Sequence, residues 1–189
     1  VSSSLSMLED EKEAITKQMQ HLQKLQKNVE HRLNTIHSAF SLPLDEIHLM
    51  TLPPRHCHRL FEGYKHEEEM DFLMKQLINL NQNRLYIIGS NQMGTMISLP
   101  SLLKKKTLSY QSVFLIDEEG ADLIDGGDYL CVTYRGNYEQ SAYWGQQLAQ
   151  YAHAHKFKIR GDLLEILWID IHTTSDESEY ITQLQLPIA

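Results

Sequence analysis

The chain has 189 residues, of which 42% are hydrophobic, and this allows one ordinary globular core with an appendage. Its formal net charge of -8 argues against direct binding to nucleic acid, because an acidic domain repels phosphate groups. No run of about 18 apolar residues predicts a membrane span, no signal segment opens the chain, and the separated Cys57 and Cys131 favour a reducing cytoplasm over a disulfide framework.

A long helix is predicted over residues 5–40. Hydrophobic side chains recur there every seven residues, and a second series follows each of them by four residues. The first series is Leu8, Ile15, Leu22, Val29 and Ile36, and the second is Leu5, Lys12, Met19, Gln26, Leu33 and Phe40. This is a coiled-coil pattern, so we expect residues 1–41 to be a dimerisation helix and the protein to be a homodimer through residues 5–40. The alternative is a helix packed on its own domain, and the pattern does not decide between parallel and antiparallel pairing.

Residues 44–189 are predicted to form one α+β domain, a pseudo-symmetric duplicated βαββ fold with a central ligand cleft. The first unit comprises a strand over 47–61, a helix over 66–80 and strands over 85–89 and 109–117. A loop containing Gly94, Pro100 and Lys104 separates those two strands. The second unit comprises a strand over 129–134, a helix over 138–155 and strands over 163–171 and 180–188. Similar joints precede both helices, Gly63-Tyr64 and Gly136-Asn137-Tyr138.

Glu165 is the most informative polar residue. It interrupts an otherwise apolar strand, and period-two alternation places it on the face of Leu163, Leu167 and Ile169. A buried, unpaired carboxylate costs several kcal/mol, roughly. Glu165 is therefore either a structural group, paired with Arg135 or Arg160 or guarding an edge strand, or the floor of a ligand cavity. Asp170, on the opposite face near the strand end, is expected to be solvated.

Aromatic side chains crowd the second half, and both tryptophans are among them. Rings around one buried carboxylate suit a flat, lipophilic cation, through stacking, cation–π attraction and charge pairing. The alternative for each ring is a place in the core. The candidate ligand-binding residues are Glu165, Tyr180, Tyr138, Tyr134, Trp168 and Trp144.

Two histidine pairs raise the question of a metal site. His56 and His58 would share one face of a strand, but two ligands do not make a closed site. His153 and His155 stand two apart on a helix and do not share a face. We therefore expect no metal, no cofactor and no catalytic residue. The acidic segment 117–128 lacks a calcium-loop pattern, and its Asp125-Gly-Gly-Asp128 sequence predicts a hairpin connection.

Four segments together resemble the GyrI-like effector-binding domain, and the preceding helix is similar to the dimerisation helix of MerR-family regulators. These segments are residues 109–116, 134–138, 164–166 and 179–188. The resemblance implies a bipartite fold whose buried Glu on the penultimate strand meets cationic ligands, matching Glu165, and a pocket Tyr matching Tyr180. It also implies antiparallel pairing of the linker helices. The acidic residue common in the last-strand motif is Gln183 here.

The resulting hypothesis is a multidrug-binding sensor domain of a cytoplasmic transcription regulator, without enzymatic activity. Because the chain begins at Val1, we expect it to be part of a longer protein that contacts DNA only through a domain outside this chain. Its expected partners are a small-molecule effector and a second copy of itself, with no membrane. Two alternatives remain: a hydrolase of reactive small molecules with Glu165 as general base and a tyrosine hydroxyl assisting, and a stand-alone protein-binding inhibitor.

Overall fold

The computed structural model describes residues 2–64, 67–80, 92–104 and 108–189. Within them a long helix precedes an eight-stranded antiparallel sheet and three further helices. The helices are α1 Ser2–Phe40, α2 Glu67–Leu80, α3 Leu99–Leu103 and α4 Gln140–Ala154. The strands are β1 His48–Leu52, β2 Arg55–Leu60, β3 Met93–Ile97, β4 Tyr110–Ile116, β5 Asp122–Ile124, β6 Gly127–Arg135, β7 Leu163–Ile169 and β8 Ile181–Ile188. A 3₁₀ turn, Glu177–Glu179, precedes β8.

The sheet has the order β1-β6-β8-β7-β3-β4-β2-β5 and must curl. In a flat sheet β1 and β2 would lie about 29 Å apart, six strand spacings of about 4.8 Å. Only Pro53 and Pro54 separate the two strands in the chain, and three Cα steps reach about 11 Å at most. Proline offers no N–H to a ladder and favours such a break. The single predicted strand over 47–61 is therefore two strands, which lie near opposite ends of the curled sheet.

Two further predictions about the strands are wrong. The predicted loop around Gly94 is strand β3 at the middle of the sheet, and Pro100 lies in the first turn of α3, where its missing N–H is harmless. The segment Asp125-Gly-Gly-Asp128 is not a hairpin, because β5 pairs with β2 whereas β6 pairs with β1. The sequence shows the turn residues, but it does not show with which strands the two flanking strands pair. The strand predicted over 85–89 lies outside the described residues.

The remaining predicted elements are confirmed within a few residues, namely α1, α2, α4, β4, β6, β7 and β8. In the sheet, β2-β4-β3 and β6-β8-β7 have the same internal order, and β3 and β7 join them by an antiparallel pairing. Each of these sets has a helix after its first strand, α2 and α4 respectively. The strand order is the one that two βαββ units would produce, although the duplication itself stays a prediction.

Helices α2 and α4 cover one face of the sheet, and α1 reaches the sheet with its last turns. Ala39 is buried against Ile169 and Ile181, at the end of β7 and the start of β8. The seam predicted along α1 is exposed in this single chain at Leu5, Leu8, Ile15, Met19, Leu22, Val29, Leu33 and Phe40. None of the described helices is long and apolar enough to cross a membrane.

Gly94 provides a stability test of the central strands. A Cβ there would lie 2.4 Å from the Phe114 ring and 2.6 Å from the carbonyl oxygen of Glu165. Overpacking of this kind costs about 1–3 kcal/mol, so Gly94→Ala should lower the free energy of unfolding by about that amount in urea titration. Gly161→Ala is the control, because its nearest atom, in Pro187, is 3.7 Å away. Equal stability of the two variants would contradict the close approach at Gly94.

Candidate functional site

Glu165 lies at the centre of the sheet. Its strand, β7, runs between β3 and β8, and the residue stands opposite Thr95 of β3. It is only 1% exposed and shares the helix-covered face with Leu163 and Leu167, as the alternation predicted. Ile169 departs from that face, because a register shift follows Leu167. A strand with neighbours on both sides has no open edge, so the edge-guarding interpretation of Glu165 is wrong.

Hydroxyl groups hold the Glu165 carboxylate from two elements. The Thr95 hydroxyl donates to Oε2 at 2.7 Å, and the Ser141 hydroxyl, in the first turn of α4, donates to Oε1. The Tyr134 phenol lies 2.6 Å from the Ser141 oxygen, which it can reach as a donor. Hydrogen bonds to a charged group contribute about 1.5–3 kcal/mol, and they offset part of the desolvation cost of a buried carboxylate.

The two arginines considered as partners of Glu165 lie elsewhere. Arg135 is exposed and stands over the Phe40 ring, 5.9 Å from its centre. Arg160 donates from Nε to the carbonyl of Ile188 at 2.5 Å. The ion pairs considered for Glu165 are therefore wrong, and hydroxyl groups rather than a guanidinium donate hydrogen bonds to its carboxylate.

Two stacked tyrosine pairs flank the carboxylate. The rings of Tyr64 and Tyr110 are 4.4 Å apart, and those of Tyr138 and Tyr180 are 5.4 Å apart. All four belong to the core around α2 that also contains Leu167 of β7. Tyr64 and Tyr138 each precede a helix, whereas Tyr110 and Tyr180 each stand at the start of a strand. The pairs therefore occupy equivalent places in the two sets of strands, on either side of the Thr95–Glu165 pairing.

The phenols of Tyr64 and Tyr138 are buried polar groups with unused bonding capacity. Burial raises the pKa of both phenols well above the usual value, and the charge of Glu165 adds to the rise. Among the residues that the structure describes, neither the Tyr138 hydroxyl nor the Tyr64 hydroxyl is fully satisfied by a hydrogen-bond partner, and Thr95, beside Tyr64, already donates to Glu165. Unpaired buried hydroxyls are costly, and a further polar group at this place would offset that cost.

The structure brings together four of the six predicted ligand-binding residues: Glu165, Tyr134, Tyr138 and Tyr180. Trp144 packs instead in the core beneath α4, edge-on to Tyr143 at 5.1 Å. Trp168 lies on the other side of the sheet, next to the end of α1. For Trp168, alternation along β7 already separates it from Glu165.

Asp170 is buried, contrary to the solvated role predicted for it. It is 4% exposed and accepts hydrogen bonds from the His172 N–H at 3.2 Å and the Thr173 hydroxyl at 3.0 Å. Its charge contributes, after burial, to the raised pKa of Tyr138. Asp170 therefore belongs to the edge of the same site.

Sequence reasoning missed Tyr64, Tyr110, Thr95 and Ser141. The similarity of the joints before α2 and α4 was the available signal for Tyr64, because it aligns that residue with Tyr138. Tyr110 stands where Tyr180 stands, at the start of the final strand of its set. Thr95 was hidden because its strand had been interpreted as a loop, and Ser141 depends on the packing of α4 over β7.

The site is closed in this structure. Tyr64 also lines a surface cleft of about 410 Å³ beside α2, together with Glu69, Phe72 and Leu73. Phe72 is 65% exposed at its rim. Tyr64 therefore borders both this surface cleft and the surroundings of Glu165, whose charge acts on its phenol.

His56 and His58, which were considered as metal ligands, contact the segment between β4 and β5. His58 lies 3.1 Å from the Asp117 carboxylate, and His56 lies 3.2 Å from the carbonyl of Gly120. Within residues 2–64, 67–80, 92–104 and 108–189, no three His, Cys, Asp or Glu side chains form a group suited to a metal ion.

Comparison with solved structures finds similar folds at low sequence identity. A cryo-EM structure of an EcmrR–DNA complex in EcmrR-RPo has a TM-score of 0.64 and 15% identity, and the match covers 96% of this chain and 70% of that chain. The crystal structure of the EcmrR C-terminal domain has a TM-score of 0.58 and 15% identity, covering 76% and 97% of the two chains. At this identity the similarity establishes a shared fold.

A third similar structure is that of SAV2435 bound to tetraphenylphosphonium. Its TM-score is 0.50 at 13% identity, and the match covers 76% of this chain and 94% of that one. Neither the models of known protein families nor the characterised protein sequences compared give a match to this sequence.

A double-mutant cycle tests the hydrogen bond between Ser141 and Glu165. Ser141→Ala should lower the free energy of unfolding by about 1–3 kcal/mol, because it removes one donor to a buried carboxylate. The same substitution in a Glu165→Gln background should cost measurably less. Ser175→Ala, at an exposed position, is the control for loss of a serine hydroxyl. Additive effects of the two substitutions in urea titration would show that the hydroxyl does not act through Glu165.

Proposed function

We propose that this chain is the ligand-sensing and dimerising part of a transcription regulator, and that its ligand is a lipophilic cation. The observation that carries the proposal is a buried carboxylate, Glu165, between two stacked tyrosine pairs. The rings present π faces that attract a cation, and the carboxylate supplies its counter-charge in a site shielded from water. The unpaired Tyr138 hydroxyl adds a polar contact at the same place.

The fold comparisons support this choice of ligand class. SAV2435, of the same fold, has been solved with tetraphenylphosphonium, an aromatic cation. The EcmrR fold match extends over α1 as well as the sheet, since it covers 96% of this chain. Together with the resemblance of four segments to GyrI-like domains, this supports a MerR-type arrangement in which DNA contact belongs to a domain outside this chain.

We propose binding rather than catalysis at Glu165. A general base must lie within hydrogen-bond reach of a water or substrate proton, whereas the Glu165 carboxylate is 1% exposed and accepts hydrogen bonds from Ser141 and Thr95. The phenols beside it have raised pKa values and stay neutral, which suits rings that serve as π surfaces.

The equivalent tyrosine pairs also support the duplication predicted from the sequence. An approximate two-fold relation between the βαββ units would bring one tyrosine stack from each unit to the β3–β7 junction. Thr95 and Glu165, which face each other across that junction, would then be equivalent positions with different side chains. Such a two-fold relation would explain why a tyrosine pair lies on each side of the junction, whereas only one side has a charged residue, Glu165.

Dimerisation is proposed through the exposed seam of α1. The apolar side chains of the seam have no partner surface in this chain along most of the helix, and Ile15 and Leu22 are 51% and 63% exposed. Helices of this kind bury such a stripe against a second helix. We therefore propose a homodimer, with the antiparallel pairing that the family resemblance implies.

A physical connection links the ligand site to α1. Arg32 of α1 donates to the carbonyl of Trp168 at 3.4 Å and to the hydroxyl of Thr173. The nearby charge of Asp170 opposes the pKa decrease that burial causes in Arg32, and the same carboxylate acts on Tyr138 in the site. A ligand that shifts β7 or Tyr138 would therefore act on α1 through these contacts. A switch requires a ligand that interacts differently with two arrangements of the protein, and these contacts could differ between them.

Charge removal at Glu165 tests the ligand proposal. Glu165→Gln keeps the shape of the side chain, and it should weaken tetraphenylphosphonium binding by about 1–3 kcal/mol, because a charge-assisted contact in a dry site is lost. Binding of triphenylphosphine oxide, a neutral compound of similar shape, should change little. Both affinities are measured by calorimetric titration.

Glu46→Gln, at an exposed position, is the matched control for the change in net charge. An unchanged affinity of the Glu165→Gln protein for the cation would remove Glu165 from the site. Loss of both ligands in a folded variant would assign the residue a structural role only.

Seam variants test the dimer. Ile15→Glu combined with Leu22→Glu places charge in the proposed interface and should convert a dimer, of twice 22.0 kDa, into a monomer in sedimentation equilibrium. Ser6→Glu combined with Gln20→Glu adds the same charge away from the seam and should leave the dimer intact. A seam variant that sediments as the wild type does would exclude this interface.

A further inference from the structure

A second cleft opens on the face of the sheet away from α2 and α4. It has a volume of about 170 Å³, and its lining includes Arg59, Arg160 and Tyr129. Leu164 also lines it, and because this residue adjoins Glu165 on β7 its side chain points to the opposite side of the sheet. We name this feature the arginine cleft.

Arg59 lines the cleft from β2, and Arg55 lies four residues before it on the same strand. Because side chains on a strand alternate between its two faces, Arg55, Cys57 and Arg59 point to the same face of β2. Cys57 belongs to the core on that face. In the described parts of the chain, Nε and Nη2 of Arg55 and Nε of Arg59 are buried without a hydrogen-bond partner. The guanidinium of Arg55 lies 5.8 Å from the centre of the Tyr129 ring, so it is held beside a residue that lines the cleft.

Arg160 is held by backbone rather than by a carboxylate. Its Nε donates to the carbonyl of Ile188 at 2.5 Å. Its Nη2 lies 2.6 Å from the point that a Cβ on Gly127 would occupy, so the absence of a side chain there lets the guanidinium pack on the strand. Gly127 has a φ of 135°, which also favours glycine. The guanidinium is thus held at the cleft, and among the described residues no carboxylate forms an ion pair with it.

Asp125 and Asp162 also line the arginine cleft, and Asp122 lies on the neighbouring strand β5. Asp122 accepts from the backbone N–H of Arg59 at 3.1 Å, and Asp162 accepts from the backbone N–H of Leu99 at 2.8 Å. Asp125 is exposed at the rim. In the part of the chain that the structure describes, no ion pair joins a carboxylate to Arg55, Arg59 or Arg160. Three arginines without acid partners are unexpected in a chain of net charge -8.

We propose that the arginine cleft binds a small oxyanion, a phosphate or a carboxylate group. The guanidinium fork matches both groups with paired N–H donors, and such an anion would satisfy N–H groups that the protein leaves unpaired. The cleft and the Glu165 site lie on opposite faces of β7, so one domain would have a cation site and an anion site. The two sites take ligands of opposite charge, and this inference does not depend on the proposed function of the first.

Thermal unfolding in matched salts tests the oxyanion site. A ligand that binds only the folded state raises the melting temperature with its concentration. Inorganic phosphate and acetate, each compared with chloride at equal ionic strength and pH, should raise the melting temperature of the wild type. Because phosphate also stabilises proteins without a binding site, the ligand class is identified by the anion whose effect the cleft variants reduce. Arg59→Gln should increase the half-saturating concentration of that anion at least about tenfold, as expected for a lost charge-assisted contact.

Arg160→Gln, at an exposed position, should weaken the response similarly, and it keeps the test decisive if Arg59→Gln does not fold. Arg135→Gln, at an exposed position beside Phe40 and outside the cleft lining, should respond as the wild type does. No response of the wild type beyond chloride would overturn the inference. An equal response of the wild type and the folded cleft variants would overturn it as well.

Discussion

The rest of the structure depends on the burial of one carboxylate at the junction of β3 and β7. Glu165 is 1% exposed, and a charge at such a place requires polar partners to offset its desolvation. The two hydroxyls that meet it come from different elements, Thr95 from the neighbouring strand and Ser141 from the helix above. The carboxylate therefore joins β7 to the neighbouring strand β3 and to α4 through side-chain hydrogen bonds.

The same junction explains how a small site can influence a long helix. β7 presents Glu165 to the tyrosine pairs on one face, and its far end packs against Ala39 of α1. The turn after β7 carries Asp170, whose charge acts on both Tyr138 and Arg32. Another residue of that turn, His172, lies 3.9 Å from Asp71 of α2. Few residues separate the proposed ligand from the proposed dimer helix, and the contacts between them are polar and directional.

Patterns local in sequence predicted much of this arrangement. Heptad spacing predicted α1, and alternation along β7 placed Glu165 on one face with Leu163 and Leu167. The same alternation puts Trp168 on the opposite face, so the prediction of Trp168 as a ligand-binding residue beside Glu165 disregarded it. Contacts set by distant segments were beyond reach: the hydroxyls of Thr95 and Ser141 meet Glu165 only because β3 and α4 pack beside β7. Residues typical of turns gave two wrong predictions, because a turn preference is local whereas strand pairing depends on distant segments. Gly94 lies in a central strand, and Gly126-Gly127 connects two strands that are not neighbours in the sheet. The joint before α2 contained an unused signal for Tyr64, because it matches the joint before Tyr138.

Locating a bound cation tests the central claim most directly. Tetraphenylarsonium has the shape and charge of tetraphenylphosphonium, and its arsenic atom can be placed in a crystal by anomalous diffraction. Our account predicts an arsenic peak on the helix-covered face beside the Glu165 carboxylate, between the two tyrosine pairs. A peak only in the groove of about 710 Å³ between α1 and Trp168, or elsewhere on the surface, would contradict the assignment of Glu165 as the cation site.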